Sequence, residues 1–169
     1  MKTKDMILAA VLLALGTILH AITPPIYGVT PDMLLATMFL AIFIVKNFSS
    51  TVVISLVAGV LAMLTTKFPG GQIPSIIDKL VSGIVVYFIY KYIFKFNLNT
   101  IKSGIINFVG TFSSGLVFLT FAVFVFTPSM KDSFLVLVGT VVLPASIMNT
   151  VLGIILSKSL KLSKKLRKA

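Results

Sequence analysis

The chain has no cysteine and no tryptophan, and only four of its 169 residues are acidic. Without cysteine there is no disulfide framework, no thiolate zinc site and no thiol nucleophile. The chain cannot drive itself with ATP, because Gly70-Gly71-Gln72 is not followed by the Gly-Lys-Ser/Thr of a phosphate-cradling loop. The zinc-protease pattern, the Gly-x-Ser-x-Gly elbow and carboxylate pairs at metal-ligand spacing are missing as well. No enzyme chemistry, metal or cofactor is expected.

Apolar residues fill the space that these absences leave. Hydrophobic residues make up 57% of the chain and charged ones 11%. Six apolar stretches, near 6–22, 32–45, 50–66, 76–94, 103–126 and 133–157, leave too little for a soluble domain. Residues 1–169 are therefore read as a single integral membrane domain with a basic tail, Lys158–Ala169. A helix needs roughly 20 residues to cross the hydrocarbon core. The second stretch, Met33 to Val45, is thirteen residues long, although Lys46 can snorkel and Asn47-Phe48 can extend it.

Threading six spans with the N-terminus inside sorts the basic residues by side. Lys2, Lys4, Lys46, Lys91, Lys95, Lys102, Lys158, Lys161, Lys164, Lys165, Arg167 and Lys168 fall inside, and only Lys67, Lys79 and Lys131 outside. Twelve against three follows the positive-inside rule, whereas a second run that failed to cross would give ten against five. The sequence thus predicts an all-α membrane protein of six transmembrane helices with both termini cytoplasmic. Lys2 and Lys4 ahead of an apolar run resemble a signal peptide. His20-Ala21-Ile22-Thr23-Pro24-Pro25 is a poor cleavage site, however, and five more apolar runs follow, so the first run reads as a retained helix. The net charge of +11 sits at the ends of these runs and in the tail, a pattern that suits anionic inner-leaflet lipid or an acidic cytoplasmic partner rather than nucleic acid.

The three outer connections hold six of the seven prolines. Their proline and glycine impose defined turns, whereas Lys46–Ser49 and Lys91–Lys102 read as polar connectors. Asp32, Asp78 and Asp132 lie at outer helix starts, where a carboxylate complements the helix dipole. Asp32 and Asp132 read as caps. For Asp78, Ser75 supplies the cap and Asp78 takes the third position of a capping box, with Lys79 and Gly70-Gly71-Gln72 concentrating polar groups at the same helix mouth. A ligand role is the alternative. Asn107 and Asn149 lie inside apolar runs, where an amide must either bridge helices or line a cavity. His20 is the single histidine, near the outer end of the first helix. Ala10 and Ala14 put two small side chains one turn apart on that helix, allowing another helix to approach closely.

A six-helix protein of this size, with Ala-x-x-x-Ala in the first helix and structured outer loops, resembles the substrate-binding S component of energy-coupling factor transporters. Within that group it is similar to the tryptophan-specific members. The opening Met1-Lys2-Thr3-Lys4, His20 to Pro25, Pro31-Asp32-Met33 and above all Gly71-Gln72-Ile73-Pro74-Ser75-Ile76-Ile77-Asp78-Lys79 carry the likeness over essentially the whole chain. The resemblance implies a subunit of the bacterial cell membrane that captures L-tryptophan near the outer surface. It further implies toppling in the membrane when docked, through Ala10 and Ala14, on a transmembrane coupling subunit powered by two cytoplasmic ATPases. An amino-acid zwitterion needs an acceptor for its ammonium, a donor for its carboxylate and an apolar slot. Asp78 suits the ammonium, and Lys79 or the amides opening the fourth helix suit the carboxylate. Gln72, Asn107 or Asn149 suit the indole N–H, and Gly71 lets backbone approach the ligand. Successive helix residues point about 100° apart, which ranks Asp78 above Lys79. The first-to-second-helix loop adds His20 and Asp32. Other readings are an S component for a vitamin such as thiamine or biotin, a small membrane enzyme using His20 with Asp32 or Asp78, and a scaffold subunit.

Overall fold

The computed structural model describes residues 3–24 and 29–166, the side chains of 161 and 163–166 excepted. Part of the first outer loop, 25–28, and the ends of the basic charge pattern, Lys2 and Arg167–Ala169, lie outside the described residues. Among the described residues six rods form an all-α bundle. They are α1 (Thr3–Ile22), α2 (Met33–Val45), α3 (Phe48–Thr65), α4 (Gln72–Phe88, continued by a π-turn, Ile89–Ile93), α5 (Thr100–Phe121, continued by Ala122–Phe126) and a composite sixth. The sixth runs through a 3-10 segment, Pro128–Ser133, α6 (Phe134–Leu137), a π-turn (Val138–Val142) and α7 (Leu143–Leu166). All but α2 are long and apolar enough to cross a membrane.

α3 and α5 start earlier than their apolar runs because their polar first turns are capped. Asn47 accepts from the Ser50 amide at the start of α3, and Asn99 accepts from the Lys102 amide at the start of α5. Lys46 does not prolong α2. It sits in the left-handed region at φ 55°, closes α2 through its N–H to the Ile42 carbonyl, and hands over to Asn47. Nor is the α4–α5 connection merely polar. Phe96 turns back onto Tyr90, with ring centroids 5.2 Å apart, and the Tyr90 hydroxyl donates to the Phe96 carbonyl.

α2 is the centre of the bundle. Its apolar residues run all round, and every residue from Leu34 to Phe43 is buried, as expected of a helix with no polar face. α1 packs on it through Ala9, Leu13 and Gly16, and a side chain at Gly16 would collide with Thr37. α3 pairs with α4, and α5 with α4 and α7. At about 1.5 Å per residue α2 is about 20 Å long, some 10 Å short of a typical hydrocarbon core. Asp32, its N-cap, consequently lies inside the bundle, and the space left beyond the N-terminal end of α2 is where the site forms.

Candidate functional site

The third-to-fourth-helix loop owes its shape to local sequence. The Gly71 N–H bonds the Phe68 carbonyl at 3.0 Å, closing a four-residue turn with Pro69 and then Gly70 at its centre. Proline fixes the first central φ, and Gly70, at φ 69°, supplies the positive second one that β-carbon-bearing residues resist. Gly71 leaves no room for a side chain between Thr66 and Phe118. α4 then begins at Gln72, one turn earlier than a Ser75 cap requires. Ser75 Oγ donates to the Gly71 carbonyl inside the first turn, so Ser75 is not the cap and Asp78 is not part of a capping box. Asp132 also departs from the cap reading. It belongs to the 3-10 segment and is exposed, and no side chain caps the start of α6. Asp32 does cap: its Oδ1 accepts from the Leu35 amide at 2.9 Å.

Freed of the capping role, Asp78 faces the bundle. Lys79 Nζ lies 2.9 Å from Asp78 Oδ2 and 2.8 Å from Asp32 Oδ2, and Ser114 Oγ of α5 also donates to Asp78 Oδ2. Asp78 and Lys79 point in different directions from the helix axis, but the long lysine chain curls back, so both line the same space. Lys79 is 4% exposed and Asp78 2%. Lys79 is therefore not a loop charge, and the outer connections keep only Lys67 and Lys131. His20 Nδ1 is 3.5 Å from Asp32 Oδ1, an electrostatic approach without a hydrogen bond.

Asn149 of α7 holds Asp32 from behind. Its Oδ1 accepts the Asp32 N–H at 2.9 Å, and its Nδ2 reaches the Asp32 carbonyl at 3.3 Å and Thr111 Oγ1 at 3.4 Å. The carbonyl also accepts from the Ala36 amide, so only the N–H depends on Asn149. Asn149→Leu is expected to lower thermal stability by about 1–3 kcal/mol, the usual cost of one buried unpaired donor. Unchanged unfolding in detergent would mean that the Asp32 N–H finds another acceptor, such as water, when Asn149 is removed.

Around this charged group opens a cavity of about 430 Å³, within the range of small-molecule sites. Part of its lining is charged and hydroxylic, with Asp32, Asp78, Lys79, His20, Thr111 and Ser114, and part is apolar, with Phe118, Leu119, Leu137, Val141, Val142 and Ala145. The π-turn Val138–Val142 carries two of the apolar residues, and Lys67 stands at the rim.

The family model described as "Tryptophan transporter TrpP" matches residues 2–167. The chain belongs to this tryptophan transporter family. It is 38% identical to a probable tryptophan transport protein of Bacillus subtilis, over 92% of this chain and 90% of that one. A probable tryptophan transport protein of Clostridium acetobutylicum is 40% identical over 96% of this chain and 95% of its own, and one of Clostridium perfringens 36% over 99% and 96%. No solved structure matches the chain. The family is one of S components, and its members are bacterial transport proteins rather than enzymes. This transporter is accordingly a multi-pass protein of the bacterial membrane.

Four residues singled out in the sequence, Asp78, Lys79, His20 and Asp32, line the cavity of this transporter together. Asn149 is one layer behind, bonded to the Asp32 backbone. Asn107 bonds within its own helix instead: its amide donates to the Ser103 carbonyl of α5, its Oδ1 is buried without a hydrogen-bond partner, and Gly153 of α7 packs against it. Gly71 packs beneath the cavity against Phe118, and Gln72 is exposed at the start of α4. Sequence reasoning passed over Thr111, Ser114, Gly115 and Phe118. Their i, i+3, i+4, i+7 spacing marks one face of α5, but hydroxyls in an apolar run stand out less than charges do.

Proposed function

We propose that this transporter captures L-tryptophan in the cavity between α2, α4, α5 and α7, from the outer side of the membrane, as the substrate-binding subunit of an energy-coupling factor importer. The observation that carries the reading is the pairing of a buried Asp32–Lys79–Asp78 cluster with an apolar wall in one space large enough for an amino acid. A zwitterion with a large flat side chain needs both. The charged cluster engages the amino-acid group, and Phe118, Leu119 and Val142 receive the indole.

The absence of tryptophan from the chain makes the test direct. Selectively excited indole fluorescence reports only the ligand, and its emission should change when the ring enters the apolar wall. A purified protein that leaves the emission of added L-tryptophan unchanged and shows no saturable binding refutes the reading.

Release inward requires the cavity to change access. In this proposal the subunit topples when docked on a transmembrane coupling subunit driven by two ATPases. α1 offers the face for docking: Ala10 and Ala14 are exposed beside Ile7, Val11 and Ile18, while Ala9, Leu13 and Gly16 are occupied by α2. Ala10→Trp with Ala14→Trp is expected to abolish uptake and leave tryptophan binding by the isolated chain intact. Normal uptake would remove this face from consideration.

The charge pattern supports a cytoplasmic position for both termini. Single cysteines at the exposed positions Ser129 and Thr100 test this in a chain with no other thiol. An impermeant reagent on intact cells should label the first and spare the second, and the reverse would invert the topology.

A further inference from the structure

The charges around the cavity do not balance. Asp32 and Asp78 contribute two carboxylates and Lys79 one ammonium, so these three side chains together carry one net negative charge. Lys79 has three N–H donors, and contacts to Asp32 Oδ2 and Asp78 Oδ2 already occupy two. On the acceptor side there is spare capacity: Asp78 Oδ1 is buried without a hydrogen-bond partner, in a residue 2% exposed that lines the cavity. A buried acceptor of this kind is costly until a donor reaches it. The other charged or titratable groups lining the cavity are His20, which faces Asp32, and Lys67, which is exposed at the rim.

We infer that the buried end of the cavity is built for a primary ammonium and holds no matched position for a carboxylate, so that its ligand class is the indole-bearing amine, with or without a carboxyl group. The inference rests on the tryptophan reading above for the indole and on the cluster itself for the amine. A substrate ammonium would complete an Asp–Lys–Asp–ammonium set of zero net charge and give Asp78 Oδ1 its donor. The substrate carboxylate then points outward to Lys67, in contact with water, where an ion pair contributes little. A carboxylate pushed inward without an ammonium would meet two carboxylates and a lysine already engaged by both.

Calorimetric titration of the purified full chain with three separate ligands, L-tryptophan, tryptamine and indole-3-propionate, tests this. Tryptamine is expected to bind within about tenfold of tryptophan, and indole-3-propionate at least about a hundredfold more weakly. Lys67→Gln should weaken tryptophan more than tryptamine. His20→Gln removes the one other group able to offset the carboxylates, and the preference for the amine should persist in it. Binding of indole-3-propionate as tight as that of tryptophan, with none of tryptamine, overturns the inference and leaves the tryptophan reading standing. So does loss of the amine preference in His20→Gln. Tryptamine binding without tryptophan binding refutes the tryptophan reading alone, and failure of both amines to bind refutes both.

Discussion

Lys79→Met is expected to destabilise the fold by about 3–5 kcal/mol, the range found when one partner of a buried ion pair is removed. The substitution keeps most of the side-chain volume and takes away the one ammonium that bridges Asp32 and Asp78 at 2.8 and 2.9 Å. Two carboxylates then face each other inside an apolar bundle, one on the segment leading into α2 and one on α4, and their repulsion acts directly between those elements. Adding Asp78→Asn should recover part of the loss, because a neutral amide has no charge to desolvate. Thermal unfolding of the single and double variants in detergent measures both effects. A Lys79→Met protein as stable as the parent would mean that water reaches the carboxylates and screens them.

The second large effect concerns affinity. Asp78→Asn should weaken L-tryptophan binding by about 2–5 kcal/mol, roughly thirtyfold to a few thousandfold, if the carboxylate pairs a desolvated ammonium. The structure sharpens this test. A lost helix cap would cost about 1 kcal/mol of stability and little affinity, but α4 starts at Gln72 and Asp78 makes no capping bond, so the cap explanation is closed. Lys79 retains Asp32 in the variant, and the shape of the side chain is unchanged. Tryptophan binding as tight as in the parent, by a folded Asp78→Asn protein, would take Asp78 out of the site.

The sequence alone determines the class of the protein and the number of its rods. Runs of apolar residues cannot stay in water, and a membrane has no water for backbone groups, so six such runs become six helices wherever they pack. The turn at Pro69-Gly70 and the cap at Asp32 are equally local, since each depends on a side chain or a φ preference within a few residues. Amides within apolar runs are legible as interior ones for the same reason: Asn107 and Asn149 have no water there to satisfy their hydrogen bonds, and both are buried.

What the sequence does not contain is which of these polar groups meet. Asp32 and Asn149 are 117 residues apart, and Ser114 lies 36 from Asp78. Local pattern places Ser75 as a plausible cap and Asp78 at a capping position. Only the packed bundle shows α4 beginning a turn earlier and Asp78 facing inward beside α5. In the same way the shortness of α2 reads along the chain as a weakness in one span. In three dimensions that short helix, buried on every side, leaves the space that becomes the cavity and brings its own N-cap within reach of Lys79. Periodicity fixes the face of a helix on which a residue lies, but the neighbour that this face meets depends on how the rods cross, and that is set by close contacts such as Gly16 against Thr37 and Gly153 against Asn107, summed over the whole bundle.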